Sequence, residues 1–358
     1  MSTKLINSLI IGILISSLAL YFAFRNVPFA ELMTYLGAFN YYWIVPSIGV
    51  ALFTFVLRVV RWQIILSSNK KVGFWHAFHP VMISFMINSI LPARVGEFAR
   101  PAILKKRDQI PFTTGLATVV AERVFDMGLL ILFFMLVLNS VNIDPDFDMA
   151  YGGYHLSRET LETIGIGMAR LGILLIAGIL LIGIGPTRKI IHRIIAQTPS
   201  LFFFSGDLFR QKIRTRIVEP LIRITENIAS GFALLKSPQK VLLCLGLSFF
   251  IWSLSALSFY IMMFGSPGIK LSFLEMAAVL VITCFFIALP SVPGFWGIWE
   301  AGGVFALSLF GVAAKDAVGY SLVNHVFQMA PVIIIGLISA VLTGINISQV
   351  SFDKREPD

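Results

Sequence analysis

Long apolar runs separated by short polar or charged stretches dominate the chain, and most approach the roughly 20 residues a helix needs to cross a hydrocarbon core. Residues 5–24, 43–65, 114–139, 164–184, 241–264 and 316–344 predict six full spans. None shows the roughly 10-residue alternating segments of a membrane barrel, so the pattern predicts an all-α polytopic membrane protein. Two further runs, 74–90 and 273–289, are 17 residues each and end at or beside a Leu-Pro break. At 1.5 Å per residue such a run reaches about 25 Å, short of the roughly 30 Å hydrocarbon core.

The flanks of these short runs decide how they sit. Lys70 and Lys71 precede the first; Arg100, Lys105, Lys106 and Arg107 follow it. Basic flanks prefer the cytoplasm, so residues 74–104 are expected to enter and leave on one side as a re-entrant hairpin with Pro92 near its tip. The second run returns through S-V-P-G-F-W-G-I-W-E as hairpin 273–312, entered from outside. Run, Leu-Pro break, Gly-containing turn, acid and a span with polar residues in its first half thus occur twice in the same order. Inverted repeats with broken helices point to a transporter site near the midplane. Two unrelated Pro-broken segments are the bland alternative, which the matched order makes weaker.

The remaining segments fall around this frame. Lys4 and the first run resemble a signal peptide, but with no A-x-A site they are read as an uncleaved span. Residues 25–42 place Phe29, Leu32, Met33 and Leu36 at helical spacing, an interfacial helix beside the Tyr41, Tyr42 and Trp43 belt. Arg58 and Arg61, near the end of the second span, are expected to snorkel to the interface. The acidic loop 140–163 reads as external. Residues 186–240 hold ten Lys or Arg against three acids. Their three-to-four-residue apolar recurrence describes a basic amphipathic helix on the inner leaflet, bent at Pro220, or a solvated connector. The organisation is then an N-terminal half 1–185, connector 186–240, C-terminal half 241–345 and cytoplasmic tail 346–358. Both termini are cytoplasmic in this reading.

Composition agrees with the membrane class. Hydrophobic residues make up 57% and charged residues 13%, with mean hydropathy +0.85, against about 25% charged in soluble domains. The net charge of +9 is explained by positive-inside topology and anionic inner-leaflet lipids rather than nucleic acid. Cys244 and Cys284 lie in apolar segments and indicate neither a disulfide framework nor a metal site. His76 and His79 have metal-compatible spacing but no acid or thiol nearby, so no metal or cofactor is expected.

Charged side chains at lipid depth cost roughly 2.5–3.5 kcal/mol each on insertion scales, so they survive where they pair or line a polar cavity. Arg94, Arg100 and Arg123 stand against Glu97, Glu122, Asp126 and Glu300, a balance of minus one. The bland reading is structural ion pairing. The functional one has arginine forks holding a phosphodiester. Arg94 and Arg100 are the phosphate candidates, with Asn88 and Asn324 added as polar lining. Glu122 and Asp126 orient Arg123, and Glu300 is the proton or ammonium candidate. His325 beside Asn324 is a proton relay or a packing residue.

N-x-x-L-P-x-R-x-G-E-x-x-R at 88–100, E-R-x-x-D at 122–126 and P-G-x-x-G-x-x-E at 293–300 resemble the lysylphosphatidylglycerol synthase transmembrane, or flippase-like, family over nearly the whole chain. The resemblance implies movement of aminoacylated phosphatidylglycerol between leaflets; relatives are linked to glycosyltransferases or hopanoid pathways. Synthase members continue into a large aminoacyl-transfer domain, whereas this sequence ends at Asp358, so lipid handling is expected without lysyl transfer.

The expectation is a bacterial inner-membrane flippase or scramblase for a phospholipid or polyprenyl-linked lipid. No G-x-x-x-x-G-K-[ST] occurs, which argues against ATP drive. A membrane-embedded lipid-modifying transferase and a scaffold recruiting a synthase or glycosyltransferase are the rivals. A second copy of the chain also remains open as a partner.

Overall fold

The computed structural model describes residues 3–25, 27–91, 94–140, 148–151, 154–157, single positions between 163 and 183, 185–198, 211–288 and 292–345. The span expected at 164–184 is described only at those single helical positions. Pro92, Leu289, Pro290 and the tail 346–358 lie outside the described residues.

The apolar runs become helices close to their expected bounds: α1 Thr3–Phe24, α2 Phe29–Ala38, α3 Ile44–Leu66, α4 Phe74–Ile90, α5 Gly96–Asp108 and α6 Phe112–Ser140. The connector gives α7 Gly185–Gln197 and α8 Glu219–Gly231, and the second half gives α9 Pro238–Met263, α10 Phe273–Ile287, α11 Ile298–Ser308 and α12 Ala314–Thr343. Among the described residues, Tyr41–Leu66, Pro238–Met263 and Ala314–Thr343 are long and apolar enough by themselves to cross a membrane. The 29 residues of α6 would reach about 44 Å, but Glu122, Arg123 and Asp126 interrupt its apolar character. Within the acidic loop, β1 Asp148–Tyr151 pairs antiparallel with β2 Tyr154–Ser157, with Asp148 opposite Ser157. The apolar periodicity had not predicted that small hairpin.

Local chemistry fixes the ends. Ser272 and Glu275 form a reciprocal cap at the start of α10, with Glu275 Oε2 accepting from Ser272 N at 2.6 Å. Helix α5 ends with Lys105, Lys106 and Arg107 in its last turn and a left-handed Gln109, favourable to the exposed carbonyls there. The bend expected at Pro220 takes another form. A π-helical turn, Arg214–Val218, precedes α8, because a proline without N–H cannot close the regular ladder behind it.

The two halves pack reciprocally. Helices α3 and α9 form the central pair, joined where Ser47 Oγ donates to Ser258 O and Ser258 Oγ donates to Ser47 O, both at 2.9 Å. Helix α4 folds back on α5 and packs against α12; α10 folds back on α11 and packs against α6. Helix α2 docks on the second half, its Tyr35 ring filling the space left by Gly319. Outward faces are apolar: Leu242, Phe250, Val341 and Leu342 are exposed, as expected of a protein solvated by lipid tails.

Candidate functional site

The two hairpin turns meet. After α4 the chain extends through Leu91 and re-enters helix at Gly96. Gly96 N–H donates to Asn88 Oδ1 at 2.8 Å, and a Cβ at Gly96 would collide with Ser84 O. Asn88 thus closes its own turn. Opposite it, the turn after α10 runs through Pro293–Phe295 into α11. Arg94 and Phe295 both hold positive φ, 52° and 63°, conformations costing a non-glycine residue roughly 1–3 kcal/mol when sparsely populated. These two touch each other: the Arg94 guanidinium sits 5.6 Å over the Phe295 ring, and its Nη2 donates to Ile287 O at 2.9 Å.

Behind the first turn lies a buried charge cluster that includes two residues the sequence had assigned elsewhere. Arg61, expected at the interface, has 0% side-chain exposure. Its Nη1 donates to Asp126 Oδ1 at 2.7 Å and Ser248 Oγ at 2.6 Å, and its Nη2 donates to Asp126 Oδ2 at 3.2 Å. Arg58 turns inward beside it, 3.7 Å from Asp126. Packing of α3 on α6 and α9 overrides snorkelling because carboxylates wait there. Ser47, Thr54, Arg58 and Arg61 fall on one helical face of α3, a polar stripe within an apolar run that could have marked them.

Glu122 accepts from Arg100 Nη1 in a close ion pair and from Arg61 at 3.4 Å. Asp126 also accepts from Arg123 at 3.1 Å and from Trp252 Nε1 at 3.1 Å. The expected role of both acids in orienting Arg123 therefore narrows to Asp126; Glu122 clamps Arg100 and Arg61. Aromatic rings complete the wall: Arg100 lies over Trp62 and Phe85, and Arg58 over Phe85 and Trp252, at 5.2–5.8 Å, a favourable setting for guanidiniums. Glu97 lies within electrostatic reach of Arg94, Arg100 and Arg123.

Glu300 and His325 sit apart from this cluster and belong to each other. Both are buried, with His325 Nδ1 2.6 Å from Glu300 Oε1 and Nε2 2.7 Å from Gly294 O. A carbonyl only accepts, so Nε2 carries hydrogen and donates to Gly294. A second proton must lie between Nδ1 and the carboxylate. The pair is therefore neutral overall whichever member holds that proton. Glu300 Oε2 accepts from Gly297 N–H at 2.8 Å, and the imidazole stacks on Trp299 at 4.7 Å and 4°. Asn324 is buried beside Tyr320, donating weakly to its Oη at 3.4 Å. Among the described residues it joins neither group.

The family described as "Lysylphosphatidylglycerol synthase TM region" matches residues 9–336. A protein named "Glycosyltransferase AglD", from Haloferax volcanii, is 23% identical over 365 aligned residues, covering 95% of this chain and 55% of its own length. The chain thus spans about half of that curated relative.

Proposed function

The chain belongs to the lysylphosphatidylglycerol synthase transmembrane family, and from that premise we propose that it moves a phosphate-bearing lipid between leaflets of a bacterial inner membrane. In this reading the two helical hairpins are re-entrant, one from each side, within an inverted repeat, and both termini are cytoplasmic. The headgroup passes where the tips meet while the acyl or prenyl chains stay in lipid. One observation carries the proposal: guanidiniums from α3, α5, α6 and the first turn converge beside the touching tips, in a molecule whose outer faces are apolar. Arginine forks match phosphate oxygens in pairs, and broken backbone at lipid depth is tolerated where it lines a polar cavity. Arg94, Arg100, Arg58 and Arg123 are the phosphate contacts in this mechanism; Glu122 and Asp126 hold them in place.

A transferase reading draws on the name of the Haloferax relative. It requires a donor substrate as well as the lipid. Purified protein in liposomes separates the two: exchange of a labelled phospholipid between leaflets without any added donor supports transport. A new lipid product formed only with a sugar or aminoacyl donor, and no exchange without it, would replace transport by transfer.

A further inference from the structure

The charge of the cluster, counted group by group, names the headgroup class. Glu122 and Asp126 balance the charge of Arg61 and Arg100, two cations with two anions, although each guanidinium keeps an Nε with no hydrogen-bond partner among the described residues. Three guanidiniums remain, Arg58, Arg94 and Arg123, and Glu97 is the further carboxylate within electrostatic reach of the cluster. The described residues therefore leave a surplus of two positive charges.

The surplus sits on the accessible members. The side chain of Arg123 is 30% exposed and that of Arg58 11%, whereas Arg61 shows none. Among the described residues Arg58 has one ion contact, at 3.7 Å, to a carboxylate already holding Arg61 and Arg123. The Nε atoms of Arg123, Arg100 and Arg61 are all buried with no hydrogen-bond partner among the described residues. Uncompensated charge beside rings and lipid is unfavourable unless a counter-charge arrives. A net-cationic aminoacyl headgroup would worsen the imbalance, and a monoanionic phosphodiester would halve it.

We infer that the juxtaposed Arg58, Arg94 and Arg123 select a lipid whose phosphate carries two negative charges, a phosphomonoester or diphosphate, over phosphodiester and aminoacylated lipids. The inference rests on the transport reading for the site's purpose but on charge alone for its ligand. It is tested with the full chain in phosphatidylcholine nanodiscs at about pH 8, where a phosphomonoester with its second pKa near 6 is doubly ionised. Phosphatidic acid, phosphatidylglycerol and lysylphosphatidylglycerol of identical acyl chains serve as probes, with inorganic phosphate as the soluble competitor.

Phosphatidic acid is expected to bind about tenfold tighter than phosphatidylglycerol, the scale of one added charge-assisted contact, and the lysyl lipid weakest. Arg58→Gln should bring phosphatidic acid down to the phosphatidylglycerol level. Glu97→Gln, which raises the surplus, should tighten it. Equal binding of the lysyl lipid and phosphatidic acid, or a preference unmoved in both variants, overturns the inference. Displacement by inorganic phosphate at lipid-like concentration overturns its lipid part. Leaflet exchange measured alongside keeps the two proposals apart. Exchange without dianion preference sinks only this inference; dianion preference without exchange of any lipid sinks only the transport reading.

Discussion

The two hairpins share a plan and differ in chemistry. Each folds back on its own second arm and packs against the long helix of the opposite half, and each has a non-glycine residue in left-handed conformation at its turn. The first looks onto guanidiniums that exceed the carboxylates around them. The second is closed by Glu300 and His325, whose hydrogen bonds are directed inward to Gly294, Gly297 and each other. A scaffold that makes two similar turns has thus set one, closed by Asn88, beside uncompensated charge and locked the other with a buried pair. In physical terms the second turn is a clamp, and the first faces the uncompensated charge on which the proposed transport rests.

The largest expected effect comes from breaking the clamp. Glu300→Ala strands His325 and the Gly297 N–H in an apolar interior, a change worth roughly 3–5 kcal/mol for a buried pair, read as loss of folded protein in detergent unfolding. His325→Ala should match it within error if the two act as one unit. A loss of less than about 1 kcal/mol for both would dissolve the distinction between the hairpins.

Next comes the turn backbone. Gly297 has φ +88° and a Cβ there would run into Ser16 O of α1, so Gly297→Ala should destabilise by about 1–3 kcal/mol. Gly96→Ala should do the same at the other turn, because the obstacle is backbone. Thermal melts of the two variants compare the turns directly.

Arg94→Lys tests the contact between tips. A lysine keeps the charge but loses the planar fork, and about 1 kcal/mol of ring contact and carbonyl bonding should go with it. The smallest stability effect belongs to Arg123→Gln, within about 1 kcal/mol because that side chain is partly exposed. Its effect on lipid exchange should still be severalfold. A variant equally mild in both readouts would place Arg123 outside the site.

Much of this was legible before any coordinates. Where the structure describes them, the apolar runs other than 164–184 match the helices to within a few residues, because about 20 apolar residues in a row admit little else in lipid. Arg94, Glu97, Arg100, Glu122, Arg123 and Asp126 stood out because charge is costly at that depth. Arg58 and Arg61 did not, since proximity to a helix end offered a cheaper explanation than burial. Only the packing of α3 against α6 and α9 turned them inward, which moves the balance from minus one to plus one; Glu300, paired with His325 apart from the cluster, accounts for the further unit that leaves two positive charges in surplus. Glu300 and His325 were both named, but not as partners: 25 residues separate them, and the fold-back of α11 onto α12 makes the pair.

The central claim is that the arginine cluster, and not the clamp, handles a lipid headgroup. Proteoliposomes with a fluorescent phospholipid confined to one leaflet test it most directly, comparing wild type with Arg58→Gln, whose melting should stay near wild type. The account predicts exchange well above protein-free liposomes, reduced about tenfold by Arg58→Gln. Exchange by wild type no faster than in protein-free liposomes, or undiminished in a well-folded Arg58→Gln variant, would contradict it.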